Sequence, residues 1–251
     1  MGGVEGRVAL VTGGGRGIGL ATANLLDARG ARIMCVARNI DELKAAGHEF
    51  IAADLGSIEG CEQAVWETEE RLGPVDILIC NHGIGSAHER VVWEQDPETW
   101  RESMRVNLDA PFYLSRLVLP GMIERRYGRL VFTSSTAGLV AEYAGSAYNS
   151  SKSGLLGLMR SVAQDAGRFG VTANSVLPGW VRTAMAERSA RYEAKDRGIT
   201  PDEVWAERAA LYPPGRVATS EEVAALIAFL ASEESSGVSG EAIRVALGSI
   251  A

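Results

Sequence analysis

The sequence predicts a doubly wound parallel α/β sheet, three layers deep (α/β/α), occupying one domain over residues 1–251. Three observations carry that prediction. Short apolar, β-branched runs alternate with helical patterns along the chain, which is the signature of βαβ units. A glycine-rich turn joins the first strand-like run directly to the first helical one. The composition, 46% hydrophobic with 29 glycines in 251 residues, suits a large buried core with many tight turns.

Val8-Ala-Leu-Val-Thr12 opens the series as a strand over 7–11. Gly13-Gly14-Gly15-Arg16-Gly17-Ile18-Gly19 follows, and Leu20-Ala-Thr-Ala-Asn-Leu-Leu26 continues as a helix over 18–29. Glycines permit the tight turn and let the backbone approach a diphosphate, which then sits at the positive end of the helix. Further strands are expected over 32–37, 50–53, 77–80, 129–133, 172–177 and 242–245. Helices are expected over 58–72, 98–126, 147–169 and 220–232. Right-handed crossovers and ligand binding at the carboxyl ends of the strands follow from that alternation. The segment 180–214 breaks the rhythm: it mixes charges with Met185, Tyr192, Trp205 and Tyr212 and ends in Pro213-Pro214-Gly215. A long insertion at that edge reads as a substrate lid.

A net charge of −7 with no basic run argues against a nucleic-acid partner. Cys35, Cys61 and Cys80 lack metal-ligand spacing, so buried, inert thiols and no metal site are expected. No signal-peptide pattern opens the sequence, and no apolar run approaches the roughly 20 residues that span a bilayer. The expectation is a reduced, soluble, cytoplasmic protein without a membrane partner.

Tyr148-Asn-Ser-Ser-Lys152 spaces a phenol and an amine four residues apart. On a helix that places both on one face, roughly 5–6 Å apart at Cβ. An ammonium beside a phenol favours the phenolate, so a tyrosine whose reference pKa is about 10 can exchange protons nearer neutrality. That is what a general acid needs when a carbonyl becomes an alcohol.

Together these segments resemble the short-chain dehydrogenase/reductase family, in its single-domain Rossmann-fold branch, along nearly the whole chain. Thr12-Gly-Gly-Gly-Arg-Gly-Ile-Gly19 resembles the family's cofactor loop, Ser135 stands at the family's spacing before Tyr148, Asn107 matches the tetrad asparagine, and Pro178-Gly-Trp-Val-Arg-Thr183 resembles the segment over the nicotinamide. The resemblance implies a catalytic tetrad of Asn107, Ser135, Tyr148 and Lys152. Tyr148 would exchange the proton, Lys152 would tune it and hold the nicotinamide ribose, and Ser135 would hold the substrate oxygen. Asn107 would hold a water linking Lys152 to solvent. It also implies a nucleotide site built from Gly13, Gly15, Arg16, Gly17, Ile18, Gly19, Arg38, Asp54, Leu55, Asn81, Gly83, Tyr148, Lys152, Pro178, Gly179, Val181 and Thr183.

Departures from the family pattern carry their own expectations. Cys80-Asn-His-Gly83 keeps Asn81 and Gly83, but places His82 where the family has alanine, which reads as a structural or pocket-lining residue. Val245-Ala-Leu-Gly248 replaces the usual Val-Asp-Gly-Gly and bears on subunit contacts. Ala37 stands where an NAD enzyme places an acid, and Arg38 follows, with Arg16 on the same side. A guanidinium can fork onto a 2′-phosphate, so NADP is the favoured cofactor, with NAD the alternative because Asp41 and Glu42 lie nearby.

Substrate contacts are expected from Ser135, Leu139, Tyr143, Trp180 and Met185, with Val140, Glu142 and Tyr192 beside them. These suit a medium-sized ketone or secondary alcohol, and the long lid resembles those of 3-oxoacyl or polyketide ketoreductases and 3-hydroxyacid dehydrogenases. Arg182, Arg188 and Arg191 are the cations available to a carboxylate substrate. Assembly as a homotetramer or homodimer is implied by the resemblance. A dinucleotide-binding sensor without turnover is the rival reading, disfavoured because the whole tetrad is present.

Overall fold

The computed structural model describes residues 3–85 and 90–249. Strands β1 (Val8–Thr12), β2 (Arg32–Ala37), β3 (Glu49–Ala52), β4 (Ile77–Cys80), β5 (Gly128–Thr133), β6 (Val171–Pro178) and β7 (Ala242–Val245) form one seven-stranded sheet. Its order is β3-β2-β1-β4-β5-β6-β7, and every pairing among the described residues is parallel. β1, β4, β5 and β6 are buried at every position. A central parallel strand has helices on both faces, which is why these segments read as continuous apolar runs rather than alternating ones.

One face carries α1 (Gly17–Ala28) and α9 (Ser220–Leu230), which set Leu26 and Ile227 against Val11, Ile79 and Val131. The other carries α3 (Ile58–Leu72), α5 (Ala110–Arg125) and α6 (Ser146–Ala166), where Leu114 and Met159 pack on Leu78 and Phe132. Each such fully buried side chain contributes about 1.5–3 kcal/mol. The chain winds from β1 outward to β3, then returns to β4 on the opposite side of β1. That reversal opens a crevice at the carboxyl ends of β1 and β4, which positions the site.

Three features differ from expectation. α2 (Ile40–Ala46) is too short to leave a periodic signal; Asn39 caps it by accepting the Asp41 and Glu42 amides. The helix expected over 98–126 is α4 (Pro97–Met104), a π-helical turn Arg105–Asp109, and then α5. Pro111 supplies the reason, since it has no N–H for the Asn107 carbonyl four residues earlier. The backbone widens instead, and the Ala110 amide donates to the Arg105 carbonyl.

The third difference is in the segment 180–214, which folds as α7 (Ala184–Arg197) and α8 (Pro201–Ala210). Thr183 caps the first, and a Thr200–Glu203 capping box starts the second. Ala186, Ala190, Val204 and Trp205 form their shared core. Arg197 ties them together, reaching Glu193 and Glu207 at 2.7 Å each. No helix among the described residues is long and apolar enough to cross a membrane.

Candidate active site

A cleft of about 690 Å³ lies over the carboxyl ends of the central strands. Its first half is built by the glycine turn. A Cβ on Gly19 would collide with the Gly13 carbonyl, and Gly17 holds φ at +54°, so the turn needs these residues to bring the backbone close. The first turn of α1 has no side-chain cap, which leaves its N–H groups to an incoming anion. Ala37 and Arg38 line the cleft at the end of β2, and Asp54 lines it after β3. This uncapped glycine cradle fits a dinucleotide diphosphate.

The two arginines there are not equivalent. Arg16 Nη1 is bound to Glu42 Oε1 at 2.7 Å. Arg38 is exposed and has no acidic partner among the described residues.

Tyr148 and Lys152 rise from α6 and line the opposite wall with Ser135, which follows β5. Lys152 is buried and its Nζ donates to the Thr133 carbonyl at 3.0 Å. Burial pulls its pKa down to about 8, and the Cys80 thiol opposes that shift. Nζ stands 5.6 Å from the centroid of the Tyr148 ring. Ser135 Oγ accepts the Ala137 amide at 3.1 Å, so its own hydroxyl proton is left to donate.

Asn107 braces this wall from behind. Its Oδ1 accepts the Ile84 amide at 2.8 Å, and its Nδ2 donates to the Ile84 carbonyl at 3.0 Å and to Ser151 Oγ at 3.1 Å. Ser151 in turn donates to the Tyr148 carbonyl at 2.8 Å. Ser134 Oγ donates to the Lys152 carbonyl at 2.9 Å. Nothing in the sequence assigns Ser134 or Ser151 a role. Their partners lie on other elements or one helical turn away, and no local motif announces them. A Cβ on Gly83 would lie 3.1 Å from Asn107 Oδ1 and 3.5 Å from Lys152 Nζ, so a side chain here would crowd the Asn107 amide.

His82 lines the cleft with Nδ1 2.7 Å from Thr12 Oγ1. Burial first, then the Lys152 charge, lower its pKa to about 4, which keeps the ring neutral. Burial pushes the thiols of Cys35 and Cys61 up to about 12 and raises that of Cys80 as well.

Every residue expected to hold the nucleotide lines the cleft except Gly19, which packs beneath the turn. Asn107 also stands behind the lining rather than in it. Of the residues expected to meet substrate, Ser135, Tyr143, Trp180 and Met185 line the cleft. Leu139 does not: it is 52% exposed and ends the 3₁₀ turn Thr136–Gly138, which presents Val140 to the cleft instead. Tyr192 is also outside the lining. Tyr212, one of the aromatics of the segment 180–214, lines it as well, with Ser249, which carries no sequence signal; the Tyr212 hydroxyl accepts the Trp180 amide at 2.6 Å. Arg182 is outside the lining and engages Glu187 at 2.7 Å and Asp202 at 3.6 Å.

The family model for short chain dehydrogenases matches residues 7–194. D-beta-hydroxybutyrate dehydrogenase of Cupriavidus necator is 33% identical over 249 residues, covering 94% of this chain and 95% of that protein. The 3-oxoacyl (acyl-carrier-protein) reductase of Salmonella typhimurium is 32% identical over 247 residues, covering 96% of each. The structure of a variant of actinorhodin polyketide ketoreductase with NADPH superposes with a TM-score of 0.91, at 32% identity and 96% coverage of both chains. A seven-stranded parallel sheet, a glycine-turn nucleotide cradle and matches of this extent have one common reading: the chain belongs to the short-chain dehydrogenase/reductase family and is an oxidoreductase.

Proposed function

We propose that the enzyme interconverts a ketone and a secondary alcohol with NADP, on a medium-sized, largely apolar substrate of the 3-oxoacyl kind. The observation that carries this reading is the position of Tyr148, Lys152 and Ser135 on one wall of the cleft that the glycine turn opens. The relatives named as a 3-oxoacyl (acyl-carrier-protein) reductase and a polyketide ketoreductase, the second with NADPH, support this reading.

The glycine turn and the start of α1 would hold the diphosphate, Arg38 the 2′-phosphate, Lys152 the nicotinamide ribose, and residues 178–183 the nicotinamide. When bound, the dinucleotide supplies or accepts the hydride. Tyr148 gives its hydroxyl proton to the substrate oxygen in reduction and recovers it in oxidation. The Lys152 ammonium stabilises the negative charge left on the Tyr148 oxygen. Ser135 donates a hydrogen bond to the substrate oxygen, a role worth about 2–4 kcal/mol in comparable sites. Asn107 keeps the Ile84 loop and the Tyr148 turn in register. Because Pro111 removes the ordinary helical donor to its carbonyl, that carbonyl is the group proposed to hold the water beside Lys152.

The Arg16–Glu42 pair favours a second reading in which NAD serves instead, since Glu42 also lines the cleft. Residues 180–214 act as the lid of a single domain, with Trp180 and Met185 on its inner surface. Phe112 on α5 is 46% exposed and supports assembly through the α5 and α6 faces as a homodimer or homotetramer, which sedimentation measures. Absorbance change of NADPH and NADH across a ketone and alcohol panel tests the reaction. Dinucleotide binding without turnover on any of them contradicts it.

A further inference from the structure

We infer that Glu142 determines substrate specificity by selecting ketones or alcohols that carry a protonated amine. The inference rests on the ketone/alcohol reading above and replaces its apolar 3-oxoacyl substrate with one that carries a positive charge.

The distribution of charge in the cleft is lopsided. Arg16, Arg38, Glu42 and Asp54 lie at the nucleotide end, and Lys152 is committed to the catalytic wall. Among the described residues lining the substrate half, Glu142 alone carries a formal charge. Its backbone carbonyl accepts from Asn149 Nδ2 at 3.0 Å, but its carboxylate has no hydrogen-bond or ion-pair partner among the described residues. The side chain keeps much of its surface open, yet the concave protein wall around it raises its pKa, with Arg208 pulling the other way. A carboxylate on the concave wall of a cleft gains more from a cation than one on an open convex surface does.

The cations nearest this half are engaged elsewhere or lie outside the cleft. Arg208 is buried; it donates to the Ala186 carbonyl at 3.2 Å, to Ser189 Oγ at 3.1 Å and to Glu193 at 2.9 Å, and it stacks on Trp180 at 3.6 Å. Arg182 is held by Glu187 and Asp202, and Arg188 and Arg191 do not line the cleft. A substrate carboxylate therefore meets repulsion from Glu142, while Arg208, the cation that acts on this part of the cleft, is already paired with Glu193. An ammonium meets the carboxylate together with the rings of Tyr143 and Tyr212, which line the same half. Glu142 and Tyr212, whose hydroxyl holds the Trp180 amide, line the same cleft.

The test uses three matched ketones: 2-amino-1-phenylethanone as its ammonium, propiophenone and benzoylacetate. Turnover is followed with NADPH and with NADH, and calorimetry reads binding of each ketone to the NADP-loaded protein. A charge-assisted hydrogen bond predicts that the ammonium ketone is favoured over propiophenone by about 10- to 100-fold in affinity and kcat/KM, with benzoylacetate last. In Glu142→Gln and Glu142→Ser that ratio falls to about one, and Glu142→Asp retains part of it. An unchanged ratio in the Gln and Ser variants, or a wild-type preference for benzoylacetate, overturns the inference. Turnover of all three ketones at equal efficiency overturns it too, while the oxidoreductase reading stands. Preferential binding of the ammonium ketone without any turnover upholds the Glu142 assignment and contradicts the proposed reaction instead.

Discussion

Lys152 Nζ lies 5.6 Å from the centroid of the Tyr148 ring while donating to the Thr133 carbonyl at 3.0 Å. The amine is thus fixed to the sheet, and the phenol is fixed to the amine by one turn of α6. Both groups depend on that anchorage, and their electrostatics yield measurable consequences.

Burial lowers the Lys152 pKa from 10.5 to about 8. Between those values the unfolded chain binds a proton that the folded protein has released, so stability rises with pH across that window. The gain relative to a Lys152→Met variant is at most about 1.4 kcal/mol per pH unit. Urea denaturation of both proteins at pH 7.5 and pH 10 reads it, and parallel profiles contradict the assigned burial.

His82 shows the same logic at acid pH. Its pKa falls from 6.5 to about 4, through burial and then the Lys152 charge. As pH drops from 6.5 towards 4, the unfolded chain takes up a proton that the folded one refuses, and stability is lost. His82→Gln flattens the stability profile over that range. A profile as steep as that of the wild type removes His82 from the account of acid sensitivity.

Arg38→Asp is expected to weaken NADP binding by at least about tenfold relative to NAD, since one guanidinium–phosphate contact is replaced by repulsion. Calorimetry with both nucleotides measures the ratio. An unchanged ratio moves phosphate recognition to Arg16, despite its pairing with Glu42.

Gly19→Ala places a methyl group against the Gly13 carbonyl and 2.6 Å from Asn81 Nδ2. Overpacking of this kind costs about 1–3 kcal/mol and distorts the cradle. Both the melting temperature and nucleotide affinity fall, whereas Gly157→Ala, with nothing within 4 Å, leaves affinity intact.

The parts of this molecule that could be read from sequence are those whose signal is local. Val8–Thr12 with its glycine turn, and Tyr148 with Lys152, are contiguous segments whose spacing alone dictates geometry. Strand ends shifted by a residue, as at Glu49–Ala52, because pairing with β2 rather than apolarity decides where a strand stops. The π turn at Asn107 depends on a single missing N–H at Pro111, which a helical periodicity does not register. Tyr212, Ser134 and Ser151 gain their positions through contacts between separate elements or within a helical turn. The outward turn of Leu139 likewise comes from the 3₁₀ turn before it, which apolar character cannot convey.

The most direct test of the proton-transfer assignment is Tyr148→Phe, which removes one oxygen and keeps the ring. Ketone reduction is expected to fall by about 10²–10⁴-fold, while calorimetry finds NADPH affinity nearly unchanged. Turnover comparable to the wild type, with nucleotide still bound, would place the proton donor elsewhere and contradict the mechanism.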